Sequence, residues 1–110
     1  MKGTYLQFYF QEFSQHKGLL LYEWLLQEAK RLGIHGGSVF RGVAGFGRHG
    51  VLHEEHFFEL ASQVPMQACF IARDEDAQNL LNSVKKEGIR LFYVQMAADY
   101  EFTGMQNAET

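Results

Sequence analysis

The chain has 110 residues, 46% of them hydrophobic and 15% aromatic, which excludes intrinsic disorder and supplies enough apolar surface for one core. A formal net charge of −3 excludes a general nucleic-acid binder, because phosphate-backbone recognition needs a basic surface. The single cysteine, Cys69, excludes a disulfide framework and a Cys-cluster zinc site.

From Thr4 to Phe13 apolar residues alternate, with Leu6, Phe8 and Phe10 on one face and Tyr5, Gln7, Tyr9 and Gln11 on the other. That period predicts a strand. Gly18 opens a run with Leu21, Tyr22, Leu25, Ala29 and Leu32 at helical spacing; Lys30 and Arg31 suit the negative helix end, and Gly33 caps it. Ser38 to Gly45 is predicted as a second strand ending in a glycine-rich loop. His53 to Ser62 has the spacing of a short helix stopped before Pro65. Met66 to Arg73 is an apolar run that predicts a third strand, with Cys69 as a small buried hydrophobe. Asp74 is the expected N-cap of a second long helix, whose stripe is Ala77, Leu80, Leu81 and Val84 and whose stop is Gly88. Ile89 to Ala98 is the fourth predicted strand, and a polar, frayed tail is expected from about residue 103 to residue 110.

The order predicts an α+β, ferredoxin-like βαββαβ sandwich with a short extra helix between the second and third strands, one domain over residues 1–110. Helices then cover one sheet face only. Tyr5, Tyr9, Leu91 and Tyr93 are expected on the other, an apolar patch of the kind that drives self-association. No apolar run approaches the roughly 18 residues of a spanning helix, and the start Met1-Lys2-Gly3-Thr4 lacks a signal-peptide core. The expected location is the cytoplasm.

The densest chemical signal is Arg41-Gly42-Val43-Ala44-Gly45-Phe46-Gly47-Arg48-His49-Gly50. Glycines allow close backbone approach, and exposed N–H groups with an arginine can hold phosphate oxygens. The pattern is neither a Walker loop nor the dinucleotide fingerprint, and glycine relieving strain at a strand end also accounts for it. A second signal is His49, His53 and His56, which can share a metal ion if the segment is helical; histidines beside carboxylates are more often a solvated helix face. A third is Lys17 before Gly18, and Lys85, Lys86 and Arg90 around Gly88, where an anion can bind or the charges merely cap helices. Ser14, Ser38, Ser62 and Ser83 lie in no nucleophile motif, and Cys69 sits mid-strand, where a thiolate is costly; nothing here argues for an enzyme.

The succession Gly18-Leu-Leu-Leu-Tyr22-Glu23, Gly36-Gly-Ser-Val-Phe-Arg41-Gly42, Gly45-Phe-Gly-Arg48 and Val64-Pro65 resembles the PII-like family DUF190, from Tyr5 to about Ala98. The resemblance extends to the PII nitrogen-regulatory proteins. It implies a homotrimer that binds an adenine nucleotide (ATP, ADP or AMP) between subunits and regulates a partner such as a membrane transporter. By that resemblance Gly45, Phe46, Gly47 and Arg48 hold the nucleotide and its phosphates; beyond it, Arg41 is expected to join Arg48 on phosphate, with Lys86 or Arg90 as the opposite wall. The chain departs from PII in carrying Lys86-Glu87-Gly88-Ile89-Arg90 where PII has Gly-Asp-Gly-Lys, and Asp99-Tyr100-Glu101-Phe102 where PII supplies arginines. The alternative expectation is a divalent-metal-binding trimer resembling the cation-tolerance proteins, with His49, His53 and His56 as ligands.

Overall fold

A computed structural model describes residues 1–45 and 64–104. The alternating segment forms strand β1 (Lys2–Gln11), with Leu6 and Phe8 fully buried and Tyr5, Gln7 and Tyr9 on the opposite face. Next comes a small hairpin, β2 (Gln15–His16) with β3 (Leu19–Leu20). Lys17 and Gly18 make its turn with φ of 52° and 80°, the left-handed geometry that matches hairpin twist. Gly18 is therefore a turn residue and not the opening of the helix. Helix α1 (Leu21–Arg31) begins only after the hairpin, where the Leu20 N–H donates to Glu23 Oε1 at 3.2 Å. It buries Leu21, Leu25 and Ala29.

Strand β4 (Gly37–Arg41) ends where the Gly42 N–H donates to the Pro65 carbonyl at 2.7 Å. The predicted helix from His53 to Ser62 lies outside the described residues. Strand β5 (Pro65–Ala72) leads into α2 (Asp74–Lys86). Arg73, not Asp74, holds the N-cap position; Asp74 is the first helical residue, and its Oδ1 accepts the Thr4 hydroxyl at 2.6 Å. Its charge still complements the positive helix end. Both helices close in the same way: Gly33 and Gly88 take positive φ, and the following N–H of Ile34 or Ile89 returns to the carbonyl of Ala29 or Val84. Because Ile89 is committed to that closure, strand β6 (Phe92–Asp99) starts three residues later than expected.

The sheet order is β4-β5-β1-β6, every neighbouring pair antiparallel, with both helices on one face: a ferredoxin-like α+β fold. Leu6, Phe8, Ala68, Phe70, Leu25 and Leu80 form the core between sheet and helices, and the Phe8 and Phe70 rings meet edge to face at 6.2 Å. The β1–β6 register corrects one expectation. Tyr5 pairs with Met96, Gln7 with Val94 and Tyr9 with Phe92, so odd residues of β1 share the open face with even residues of β6. Tyr93 instead stands opposite Phe8 on the helix side, its ring 6.1 Å from that of Phe8, and Leu91 packs on the core.

Candidate functional site

Strand directions bring the candidate residues to one end of the sheet. Strand β4 ends there and β6 begins there, while α2 finishes there beside the hairpin. Those among the described residues do not converge within one chain. Arg41 and Gly42 to Gly45 leave the β4 edge, whereas Arg90 precedes β6 at the opposite edge, three strand spacings or about 14 Å away. Arg41 is held by Glu12, Nε to Oε2 at 3.1 Å and Nη2 to Oε1 at 3.2 Å, and this partner pushes its pKa up. Among the described residues no hydrogen bond engages its Nη1. Phe46, Gly47, Arg48, His49, His53 and His56 lie outside the described residues. Among the described residues no group of three His, Cys, Asp or Glu could hold a metal ion.

Lys86 parts company with Arg90. It lines a groove of about 490 Å³ between α1 and α2, with Lys17, Trp24, Glu28, Arg31, Leu32, Asn79, Asn82, Ser83 and Glu87. Two carboxylates organise this groove. Glu28 accepts Arg31 Nε at 2.8 Å and Nη2 at 2.6 Å, and accepts the Ser83 hydroxyl from α2. Arg31 chiefly, then Ser83, outweigh the desolvation that opposes them and lower the Glu28 pKa to about 2. Glu87 takes His16 Nε2 at 2.8 Å and Lys17 Nζ at 2.9 Å, and its pKa is lowered by His16 first and Lys17 second. The His16 ring stands edge-on to Trp24 with centroids 5.2 Å apart. The Glu28–Arg31 pair is visible in sequence as neighbours one helical turn apart. Ser83, 55 residues from Glu28, and the His16–Glu87 pair, 71 residues apart, have no local signal.

The sheet face away from the helices is uncharged. Along the four strands it presents Tyr5, Gln7, Tyr9, Ser38, Phe40, Gln67, Cys69, Ile71, Phe92, Val94 and Met96, with no acidic, basic or histidine side chain among them. Tyr9, Phe40, Ile71, Phe92 and Met96 are exposed. A polar file crosses its centre: the Tyr9 hydroxyl donates to Gln7 Oε1, and Gln7 Nε2 donates to the Tyr5 hydroxyl, both at 2.8 Å. Cys69 is buried, as expected, but on this face and not in the helix-side core; Gln67 Nε2 donates to its sulfur at 3.0 Å. Cys69 also raises the pKa of the Tyr5 hydroxyl, against the lowering effect of Gln7.

Residues 3–91 match the model of the DUF190 family, described as "Uncharacterized ACR". The chain belongs to this family. It is 29% identical over 85 residues to a UPF0166 protein of Aquifex aeolicus, covering 77% of this chain and 81% of that one. It is 33% identical over 66 residues to a UPF0166 protein of Methanocaldococcus jannaschii, 60% of each chain. Among solved structures it is similar to CPII of Thiomonas intermedia K12, a nitrogen regulatory PII-like protein, bound to ADP, AMP and bicarbonate: TM-score 0.63, 17% identity, 89% of this chain and 87% of that chain. CPII bound to ADP and bicarbonate superposes with a TM-score of 0.61 at 18% identity, over 89% and 87% of the two chains. At that identity the likeness shows the shared PII-like fold. No helix among the described residues is long and apolar enough to cross a membrane.

Proposed function

We propose that this DUF190 protein is a cytoplasmic PII-like regulator, a homotrimer that senses an adenine nucleotide in the clefts between its subunits. The observation that carries the reading is the division of the candidate site between opposite edges of one sheet. A ligand gripped from both sides then needs the β4 edge of one copy and the β6 edge of another. The uncharged open face gives those copies a reason to associate, since leaving Phe40, Ile71, Phe92 and Met96 in water is unfavourable.

In this scheme Gly45, Phe46 and Gly47 bring backbone N–H groups against the nucleotide, and Arg48 with Arg41 binds its phosphates. Arg90 of the neighbouring copy closes the cleft. The nucleotide bound in solved PII-like relatives, ADP or AMP, supports that ligand class. Residues 1–110 act as one sensing domain that binds and releases ligand without chemistry and reports occupancy to a partner, of which a membrane transporter is the kind the family resemblance implies.

Calorimetry tests this. ATP, ADP or AMP should bind the native protein, and Arg48→Ala should weaken binding ten- to hundredfold, because a charge-assisted bond to phosphate contributes about 1.5–3 kcal/mol. Equal affinity in Arg48→Ala would refute the phosphate role. Thermal stabilisation by zinc or copper and not by nucleotide would favour the metal reading through His49, His53 and His56.

A further inference from the structure

The groove between α1 and α2 has a charge distribution that internal ion pairing does not use up. Lys17, Arg31 and Lys86 stand against two carboxylates, Glu28 and Glu87. The carboxylates turn inward, their side chains only 12% and 23% exposed, whereas Lys17 and Arg31 are each 66% exposed. Lys86 is exposed and has no ion-pair partner among the described residues. What faces solvent is a row of donors. Among the described residues, Arg31 spends Nε and Nη2 on Glu28 and keeps Nη1, while Asn82 accepts a bond from Gln78 on its carbonyl and keeps its amide N–H groups. In a chain of net charge −3 this is a locally cationic concavity.

Its geometry narrows the ligand. The connections of the fold make α1 and α2 antiparallel, so Trp24 on α1 lies beside Lys86 and the hairpin residue Lys17, while Arg31 lies beside Asn79. Trp24 and Arg31 are seven residues apart, about 10 Å along a helix. The cations therefore mark the two ends of the groove, with Ser83 and Asn82 between them and the indole and Leu32 as an apolar wall. We propose that this groove binds an elongated small molecule carrying an oxyanion at each end, with Lys17 and Lys86 holding one end and Arg31 and Asn79 the other. The groove is on the helix side of the sheet, opposite the uncharged face through which copies are proposed to associate, and its Arg31–Asn79 end is formed by residues assigned no part in nucleotide binding.

Trp24 is the only tryptophan, so its emission reports on this groove. Titration with fructose 1,6-bisphosphate, with a six-carbon dicarboxylate, and with inorganic phosphate as a one-ended control compares the two oxyanion chemistries and the length requirement. The expected result is a saturable change for at least one two-ended probe, at a concentration at least tenfold below any effect of phosphate. Lys86→Ala, at an exposed residue without an ion-pair partner among the described residues, should weaken that binding about tenfold or more, and Asn79→Asp should weaken it from the other end. Asn79→Asp, at a residue assigned no part in nucleotide binding, should keep parental affinity for ADP. Absence of any saturable response, a response indifferent to Lys86→Ala, or loss of bisphosphate and ADP binding together in Asn79→Asp would overturn the assignment of a second site. Failure of ADP to bind the parent protein would count against the nucleotide reading and leave this test intact.

Discussion

Glu28 keeps its charge because Arg31 on its own helix and Ser83 on the other helix both bind its ionised form. An unfolded glutamate titrates near 4.5, and this one near 2, so the native state favours the charged carboxylate. The stability this confers is present above about pH 4.5 and is lost as pH falls toward 2. Glu87 shifts in the same direction. Replacing Glu28 by Gln is therefore expected to destabilise the protein at pH 7, by about 1–2 kcal/mol after solvent screening, and by progressively less down to pH 3. Urea unfolding at several pH values measures this; a constant difference across the range would remove the carboxylate from the account. At this scale the sequence shows partners only when they are one turn apart. Arg41 was legible as a cation beside glycines, but its Glu12 partner sits 29 residues away and is brought in by the β1–β5–β4 pairing.

Among the elements, the helix ends were legible because glycine at a left-handed position followed by an apolar residue is a local signal, and both Gly33 and Gly88 deliver it. The hairpin was not. Its strands are two residues each, and Leu19 and Leu20 continue without interruption into the apolar residues of α1. Gly18→Val should cost about 1–2 kcal/mol, since a β-branched residue at φ 80° is strained, while a valine at a solvent-facing site in α1 should cost far less. Thermal melts of both variants check this. Gly42 has a different constraint: a Cβ there would stand 2.7 Å from Pro65 Cγ, and its N–H is bonded to Pro65. Gly42→Ala should destabilise by about 1–3 kcal/mol and also weaken ADP binding, because it redirects the chain toward Gly45. A variant as stable as the parent with unchanged affinity would show that this close approach positions nothing.

For the whole molecule, the ferredoxin-like order followed from the succession of strand and helix patterns, yet the composition of the open face did not. A period of two tells which residues of one strand share a face, but only the pairing register says which face the next strand contributes, and a one-residue offset moved Tyr93 inward and Phe92 and Met96 outward. That face should be covered by other copies. Light scattering is expected to give three times the 12.7 kDa chain mass, and Met96→Glu, which puts a charge into the uncharged surface, should shift the mass toward one chain. Cys69 lies on the same face, so thiol labelling should be slow in the parent and faster in Met96→Glu. The central claim, a nucleotide cleft assembled from two edges of different copies, is tested most directly by subunit mixing. Arg48→Ala and Arg90→Ala are each titrated with ADP alone, then unfolded, mixed and refolded together. Each alone should bind at least tenfold more weakly than the parent, and the mixture should regain a fraction of sites with parental affinity, because some clefts then pair an intact Arg48 with an intact Arg90. A mixture that binds no better than its two components would contradict the shared cleft.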